Sequence, residues 1–153
     1  MNRKNMFMSI VLFSLLLLSA CSNQTTAKDE PPQLSIQFPD GEEIHAKLGT
    51  YEWEVKGLFS TQHILADADS PFNIAKKLEP IVVEPNTSVT LQFDDHSTPS
   101  VKAYVWEGNS QGPALSIQQQ QITLPSTTGR AVIEVQAEWG NSNASYTFLV
   151  EVQ

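Results

Sequence analysis

Apolar and polar side chains alternate along most of the chain after residue 34. A period of two is typical of strands that bury one face and leave the other in water. The pattern predicts about eight or nine short strands. The clearest stretches are residues 34–38, 51–55, 89–93, 101–107, 133–139 and 146–150, with weaker ones at 60–66, 81–83, 115–117 and 122–124.

Three kinds of local signal punctuate these strands. Pro39, Asp40 and Gly41 predict a turn, residues 107–113 predict another, and the Gly/Asn-rich residues 140–143 predict the loop of a closing hairpin. Ser70 followed by Pro71 is typical of a helix start, since serine caps and proline fits the first helical turn. A short helix or an ordered loop is therefore expected after Ser70.

Alternation, in place of continuous apolar runs, favours antiparallel sheets with one solvated face each. Two such sheets must pack their apolar faces together. We therefore predict an all-β fold, an immunoglobulin-like antiparallel β-sandwich with one short helical segment, over residues 34–153. An open barrel is the alternative, and the Cys-Trp-Cys pattern of true immunoglobulin domains is absent from the sequence.

The N-terminus has a different pattern. Arg3 and Lys4 precede the uncharged run at residues 6–18, which is short for a transmembrane helix but suits a secretory signal peptide. The run ends in Leu18-Ser19-Ala20-Cys21, which closely resembles the lipobox of bacterial lipoproteins.

The resemblance to lipoproteins implies that residues 1–20 are a signal peptide and that Cys21 begins the mature protein. In that family the cysteine thiol receives diacylglycerol, and an acyl chain such as palmitate is often added to its amino group. Two or three acyl chains hold a protein durably on a membrane. The implied location is the extracytoplasmic face of the cell membrane.

Residues 21–33 lack aromatic and branched aliphatic side chains and end in a polar, proline-containing stretch. Such a segment cannot build a packed core, so we interpret it as a flexible tether between the lipidated cysteine and the folded domain. The alternation that follows, with Gly49-Thr50-Tyr51-x-Trp53 near its start, resembles small secreted or lipid-anchored proteins of Bacillus-type bacteria. That resemblance implies a Gram-positive source and brings no known activity.

Charge and cysteine content exclude several classes of function. The chain has 9 basic and 17 acidic residues, a net charge of −8, and removal of residues 1–20 would leave −10. So acidic a balance argues against nucleic acid as a partner and against electrostatic adhesion to anionic lipid. A lone cysteine forms no intrachain disulfide and no multi-cysteine metal site.

Candidate catalytic and metal-binding residues have simpler explanations. Glu52 and Glu54 lie about 7 Å apart on one strand, as paired carboxylates in glycosidases can, but they fit the solvated face of that strand. The Asp94-Asp95-His96 stretch with His45 or His63 fits a polar loop better than a metal site, because the histidines lack ligand spacing. No nucleophile motif or phosphate loop is present in the sequence, so we predict no enzyme, cofactor or metal.

Aromatic side chains offer the best candidates for binding. Trp53 and Trp139 fall on the apolar faces of their strands and are expected in the core. Tyr104 and Trp106 lie opposite Val101 and its apolar neighbours, and this face is either an exposed platform for a peptide or glycan or a packed face with Trp106 closing the sandwich.

The sequence favours a lipid-anchored binding module, with membrane contact through the lipid on Cys21 and an envelope protein or cell-wall glycan as partner. A small enzyme, a solute receptor or a structural spacer are the alternatives. A monomer is expected.

Overall fold

The computed structural model describes residues 29–153. This part contains twelve strands and one short helix. The strands are β1 (Leu34–Gln37), β2 (Glu43–His45), β3 (Lys47–Lys56), β4 (Thr61–Ala66), β5 (Ile81–Val83), β6 (Ser88–Phe93), β7 (Ser100–Glu107), β8 (Ser110–Ala114), β9 (Ile117–Gln118), β10 (Gln121–Thr123), β11 (Gly129–Trp139) and β12 (Ser142–Val152), and α1 is Pro71–Ala75.

The strands form two sheets. One has five strands in the order β2-β1-β6-β10-β9, and the other has the order β4-β3-β12-β11-β7-β8 with β5 added in parallel to the end of β12. All other strand pairs of the described chain are antiparallel. The predicted all-β sandwich with one short helical segment is confirmed, and its immunoglobulin-like character stays a prediction.

The core lies between the two sheets. The long β11–β12 hairpin pairs eleven residues on each strand and presents alternate apolar side chains inward, as the period of two predicts. The largest fully buried side chains are Leu34, Ile36, Val89, Phe93, Ile122, Leu124, Ile133, Val135, Tyr146, Phe148, Val150 and Val152.

An aromatic cluster packs at one end of the sandwich, which we call the Trp139 end. The Trp139 ring meets Phe93 and Trp53 edge-on at centroid distances of 5.1 and 5.3 Å, and Phe93 meets Tyr146 at 5.9 Å. Such edge-to-face pairs stabilise the fold beyond the contribution of the apolar area that they bury. Trp53 and Trp139 were both expected in the core, but both are only half-buried. Trp139 packs against the core, and Trp53 contacts the Trp139 ring from outside the core.

The chain enters the sandwich at this same end. The Tyr146 hydroxyl donates a 2.7 Å hydrogen bond to the Pro32 carbonyl, just before β1. Burial, followed by the nearby Asp95 and Asp94, raises the pKa of the Tyr146 phenol. The phenol therefore stays protonated and keeps its role as donor.

Helix α1 forms where Ser70 and Pro71 predict it. The Ser70 hydroxyl accepts from the Asn73 backbone N–H, and Pro71 occupies the first turn. Ile74 and Ala75 are buried, and the helix packs against β12, β11, β3 and β7, on the outer face of the seven-stranded sheet.

The prediction that residues 107–113 only turn was wrong in part. Glu107 pairs with Ser110 across Gly108 and Asn109, and the chain then continues as strand β8 at the sheet edge. Gly112 and Pro113 hid the strand, because proline is disfavoured within a sheet but tolerated at its edge.

Candidate functional site

The outer face of the seven-stranded sheet carries polar side chains across three neighbouring strands. The register places Tyr104 of β7 beside Glu134 of β11, and Glu134 beside Thr147 of β12. The next row joins Lys102, Gln136 and Ser145 in the same way. Since side chains alternate between faces, these rows lie back to back with the core residues of the same strands.

Glu134 is buried in this face, which corrects the solvated position that its alternation with Ile133 predicted. It is only 6% exposed, and the Trp106 indole N–H donates a 2.8 Å hydrogen bond to its Oε2 atom. The period of two assigns the correct face of the sheet. It does not reveal that α1 covers part of that face.

A groove of about 450 Å³ runs beside these rows, and we call it the outer groove. Residues 68–71 form one wall, and the outer side chains of β11 and β12 with their connecting turn form the rest. Its polar lining residues are Thr50, Asp69, Ser70, Glu134, Gln136, Glu138, Asn141, Ser142, Asn143 and Ser145.

Two hydrogen bonds fix the wall of the outer groove to the sheet. The Ala68 backbone N–H donates to the Thr50 hydroxyl at 3.2 Å, and the Ser145 hydroxyl donates to the Thr50 carbonyl at 3.2 Å. Gly49 allows this close approach, because a Cβ atom there would stand 2.6 Å from the Ser145 hydroxyl oxygen. The groove is therefore shaped by the fold rather than by a loose loop.

The outer groove offers hydroxyl, amide and carboxylate groups side by side. Such a lining can donate to and accept from a polyhydroxylated or amide-containing ligand. Its volume falls in the range of small-molecule sites. Comparison of the chain with protein families, curated proteins and solved structures found no match.

Tyr104 and Trp106 lie on the outer face next to the outer groove, and both rings are half-buried. Trp106 is tied to Glu134. Trp139 packs on Phe93 at the end of the sandwich, where Trp106 was one candidate. The Trp139 indole N–H donates a 2.8 Å hydrogen bond to the Ser97 hydroxyl.

We expect Trp106→Phe to lower the free energy of unfolding by about 1.5–3 kcal/mol, because the buried Glu134 carboxylate loses a charge-assisted hydrogen bond. Urea unfolding of the variant measures the loss. In a Glu134→Gln background the same change should cost clearly less, since the partner is then neutral. Equal losses in both backgrounds would contradict a specific role for the hydrogen bond.

Glu54, predicted to be solvated, has an almost covered side chain at the Trp139 end. It lies 3.2 Å from Lys56 and accepts from the Asn141 side-chain amide at 3.3 Å, while His63 stands 3.9 Å away. The hydrogen bond from Lys56, followed by that from Asn141, lowers the pKa of Glu54. A lowered pKa suits a structural acceptor and opposes a general acid, which needs a raised pKa. Glu52 stays exposed, as predicted.

Glu54→Gln should lower the melting temperature slightly at pH 7 and much less in acid. A carboxyl with a lowered pKa in the folded state contributes stability above its unfolded-state pKa, and this contribution disappears as the pH falls through the folded-state value. Thermal unfolding of both proteins between pH 7 and pH 3 tests whether the difference in melting temperature shrinks towards acid pH. A difference that widens towards acid pH would contradict it.

The three histidines stand at separate places. His45 of β2 contacts the Ser35 hydroxyl at the edge of the five-stranded sheet, His63 lies on the opposite sheet near Glu54, and His96 sits in the loop after β6. The Asp94 and Asp95 carboxylates accept the backbone N–H groups of Gln33 and Ser97. Residues 29–153 contain no group of three His, Cys, Asp or Glu side chains placed to hold a metal ion.

One feature of the surface escaped sequence reasoning. Leu58 is 93% exposed and Phe59 is fully exposed, at the tip of the β3–β4 hairpin. The signal in the sequence is an apolar pair between Gly57 and Ser60, where turns usually carry polar residues.

Cys21 and most of the predicted tether lie outside the described residues, as does the predicted signal peptide. Among residues 29–153, no helix is long and apolar enough to cross a membrane.

Proposed function

We propose that this protein is a lipid-anchored extracytoplasmic binding module that holds a cell-wall glycan in the outer groove. The supporting observation is a polar groove of about 450 Å³ with the buried Glu134 fixed by Trp106 beside it. The anchor is the lipid that the lipobox resemblance assigns to Cys21.

The chemistry of the outer groove favours a glycan over an envelope protein. A stable protein interface buries about 800 Å² on each partner and has an apolar, aromatic-rich core. The outer groove is small and lined by hydroxyl, amide and carboxylate groups, which match the hydroxyl and acetamido groups of a sugar chain. The half-buried Tyr104 and Trp106 lie on the same outer face, on β7 beside β11.

The carboxylates of Asp69, Glu134 and Glu138 set the charge that the ligand must have. Lys102 lies 3.7 Å from Glu138 and Lys77 lies 3.5 Å from Asp69, so lysines offset two of the three carboxylates and leave a net negative charge. The groove therefore disfavours phosphate-rich wall polymers and suits neutral or amino-bearing sugars, since like charges repel.

Co-sedimentation with insoluble wall material tests the proposal. The double variant Gln136→Ala, Asn143→Ala removes two amides from the groove without touching the core. We expect it to reduce wall binding about tenfold, since each lost hydrogen bond to a ligand costs about 0.5–1.5 kcal/mol.

The matched control is the double variant Gln62→Ala, Asn109→Ala, which removes the same residue types from exposed positions on β4 and before β8. It should bind like the unaltered protein. Equal binding by both double variants would remove the groove as the site. Binding to a purified envelope protein but not to wall material would replace the glycan by a protein partner.

A further inference from the structure

The β3–β4 hairpin projects beyond the sandwich. Glu54 marks the last contact with the β11–β12 turn, through its backbone N–H to the Ser142 hydroxyl at 3.0 Å. Beyond it, β3 and β4 pair only with each other up to Lys56 and Thr61. From Glu54 to Gly57 the chain extends about 10 Å at the rise of a strand, and Leu58 and Phe59 form the turn beyond it.

The tip of this hairpin is its most apolar part. Gly57 and Ser60 close it, since the Gly57 N–H donates to the Ser60 carbonyl at 2.8 Å, and the two residues between them are Leu58 and Phe59. At 93% and 100% exposure they contact almost nothing in the protein. Two large apolar side chains fully in water are costly unless something covers them.

The N-terminal chain leaves the sandwich beside the start of β3 and runs towards the tip. Strand β1 starts opposite Phe93, whose ring packs on Trp139, and residues 29–33 line a cavity together with Ala46, Lys47 and Leu48 at the start of β3. Strand β1 runs antiparallel to β2, and β2 leads into β3. Followed back towards the N-terminus, the chain before β1 therefore runs in the same direction as β3.

The length of chain before the folded domain matches the distance from the start of β3 to the tip. Eight residue steps separate Cys21 from Asp29, and fully extended they span at most about 28 Å. This reach is comparable to the distance of about 30 Å that separates Leu48 from Gly57 at the rise of a strand, so a lipid on Cys21 and the tip can meet the same bilayer.

The charge of the tip also suits a lipid surface. Residues 55–66 contain Lys56 and His63 but no acidic residue, in a chain with 17 of them. Lys56 lies beside Glu54, so the tip itself is close to neutral. Anionic headgroups would repel an acidic tip and do not repel this one.

We propose that Leu58 and Phe59 insert into the outer surface of the membrane to which Cys21 is anchored. This inference rests on the proposed lipid anchor. The hairpin adds a second contact to the acyl chains and fixes the orientation of the domain on the membrane. Apolar side chains in the headgroup and acyl boundary are the usual contacts of peripheral proteins.

A depth measurement on the lipidated full chain tests this insertion. Phe59→Cys introduces a thiol for an environment-sensitive dye, and lipidation would leave Cys21 without a free one. Val82→Cys is the matched control, because Val82 is 63% exposed and sits on β5 beside the end of β12, away from the tip. The proteins are reconstituted in vesicles containing anionic lipid and a spin-labelled lipid quencher.

We expect the dye at position 59 to shift to the blue and lose more than half of its emission to the quencher, while the dye at position 82 does neither. Equal quenching at both positions, or at neither, overturns the insertion. A blue shift at position 59 without quenching by the spin-labelled lipid also overturns it, in favour of a second copy of the chain or a bound protein.

Flotation of the same vesicles distinguishes a failure of the hairpin insertion from a failure of the lipid anchor. Protein that floats without quenching at position 59 keeps the lipid anchor and rejects the hairpin contact. Protein that fails to float rejects the anchor. In that case the Cys21→Ser chain with Leu58→Ser and Phe59→Ser is compared with Cys21→Ser alone. A loss of vesicle binding of more than about tenfold would still support the tip.

Discussion

Phe93→Ala is expected to lower the free energy of unfolding by about 3–5 kcal/mol, the range typical of truncating a buried phenylalanine to alanine. Phe93 is 1% exposed and ends β6. Its ring joins the two sheets by edge-on contacts with Trp139 and Tyr146. Removing it leaves a cavity between the sheets that the stiff neighbouring rings fill poorly.

Urea unfolding followed by tryptophan fluorescence measures this loss, since Trp139 reports directly on the cluster. Val82→Ala is the control, as its exposed position predicts a change within about 0.5 kcal/mol. A loss below about 1 kcal/mol for Phe93→Ala would contradict the packing of the two sheets at the Trp139 end.

Cys21→Ser is expected to abolish membrane retention of the processed protein. A hydroxyl cannot form the thioether that holds diacylglycerol, so the variant should be released to the medium or stay unprocessed. Fractionation of cells into membrane and medium, with the mass of the mature N-terminus, reads out both outcomes. The Ser19→Ala variant is a control, since the lipobox accepts small residues at that position.

Retention of a processed Cys21→Ser protein in the membrane fraction would contradict the lipobox. The hairpin tip alone buries only Leu58 and Phe59, and a single weak apolar contact binds a membrane marginally compared with two or three acyl chains. Durable retention of the processed protein would therefore need the lipid.

Much of the fold could be predicted from local pattern. The alternation around Ile133 and Phe148 placed these side chains in the core, and Ser70 with Pro71 placed the helix start, because both signals act within a few residues. Strand β2 and strand β8 were missed, since short edge strands gain little from burial and carry weak patterns.

The candidate site was less predictable, because it depends on contacts between distant segments. The register of Glu134 with Tyr104 puts the carboxylate within reach of Trp106, and α1 lies on the same face of the sheet. No residue close to Glu134 in the sequence indicates that the Glu134 side chain is buried. The outer groove likewise joins residues 68–71 to β11 and β12, which lie more than sixty positions later.

The exposed tip had a local signal that the alternation concealed. Leu58 and Phe59 follow an alternating strand and are easily taken as part of its apolar face. Their exposure follows from the length of β3, which outruns its partner β12 at the turn before Ser142.

Photo-crosslinking in intact cells tests directly whether the outer groove binds a cell-wall glycan. A photoreactive amino acid replaces Gln136 in the outer groove, and the same amino acid at Val82 is the control. We expect the protein to carry wall-glycan fragments crosslinked at position 136 and none at position 82, as measured by mass spectrometry of the digested adducts. Adducts with one envelope protein, or equal yields at both positions, would contradict glycan binding in the outer groove.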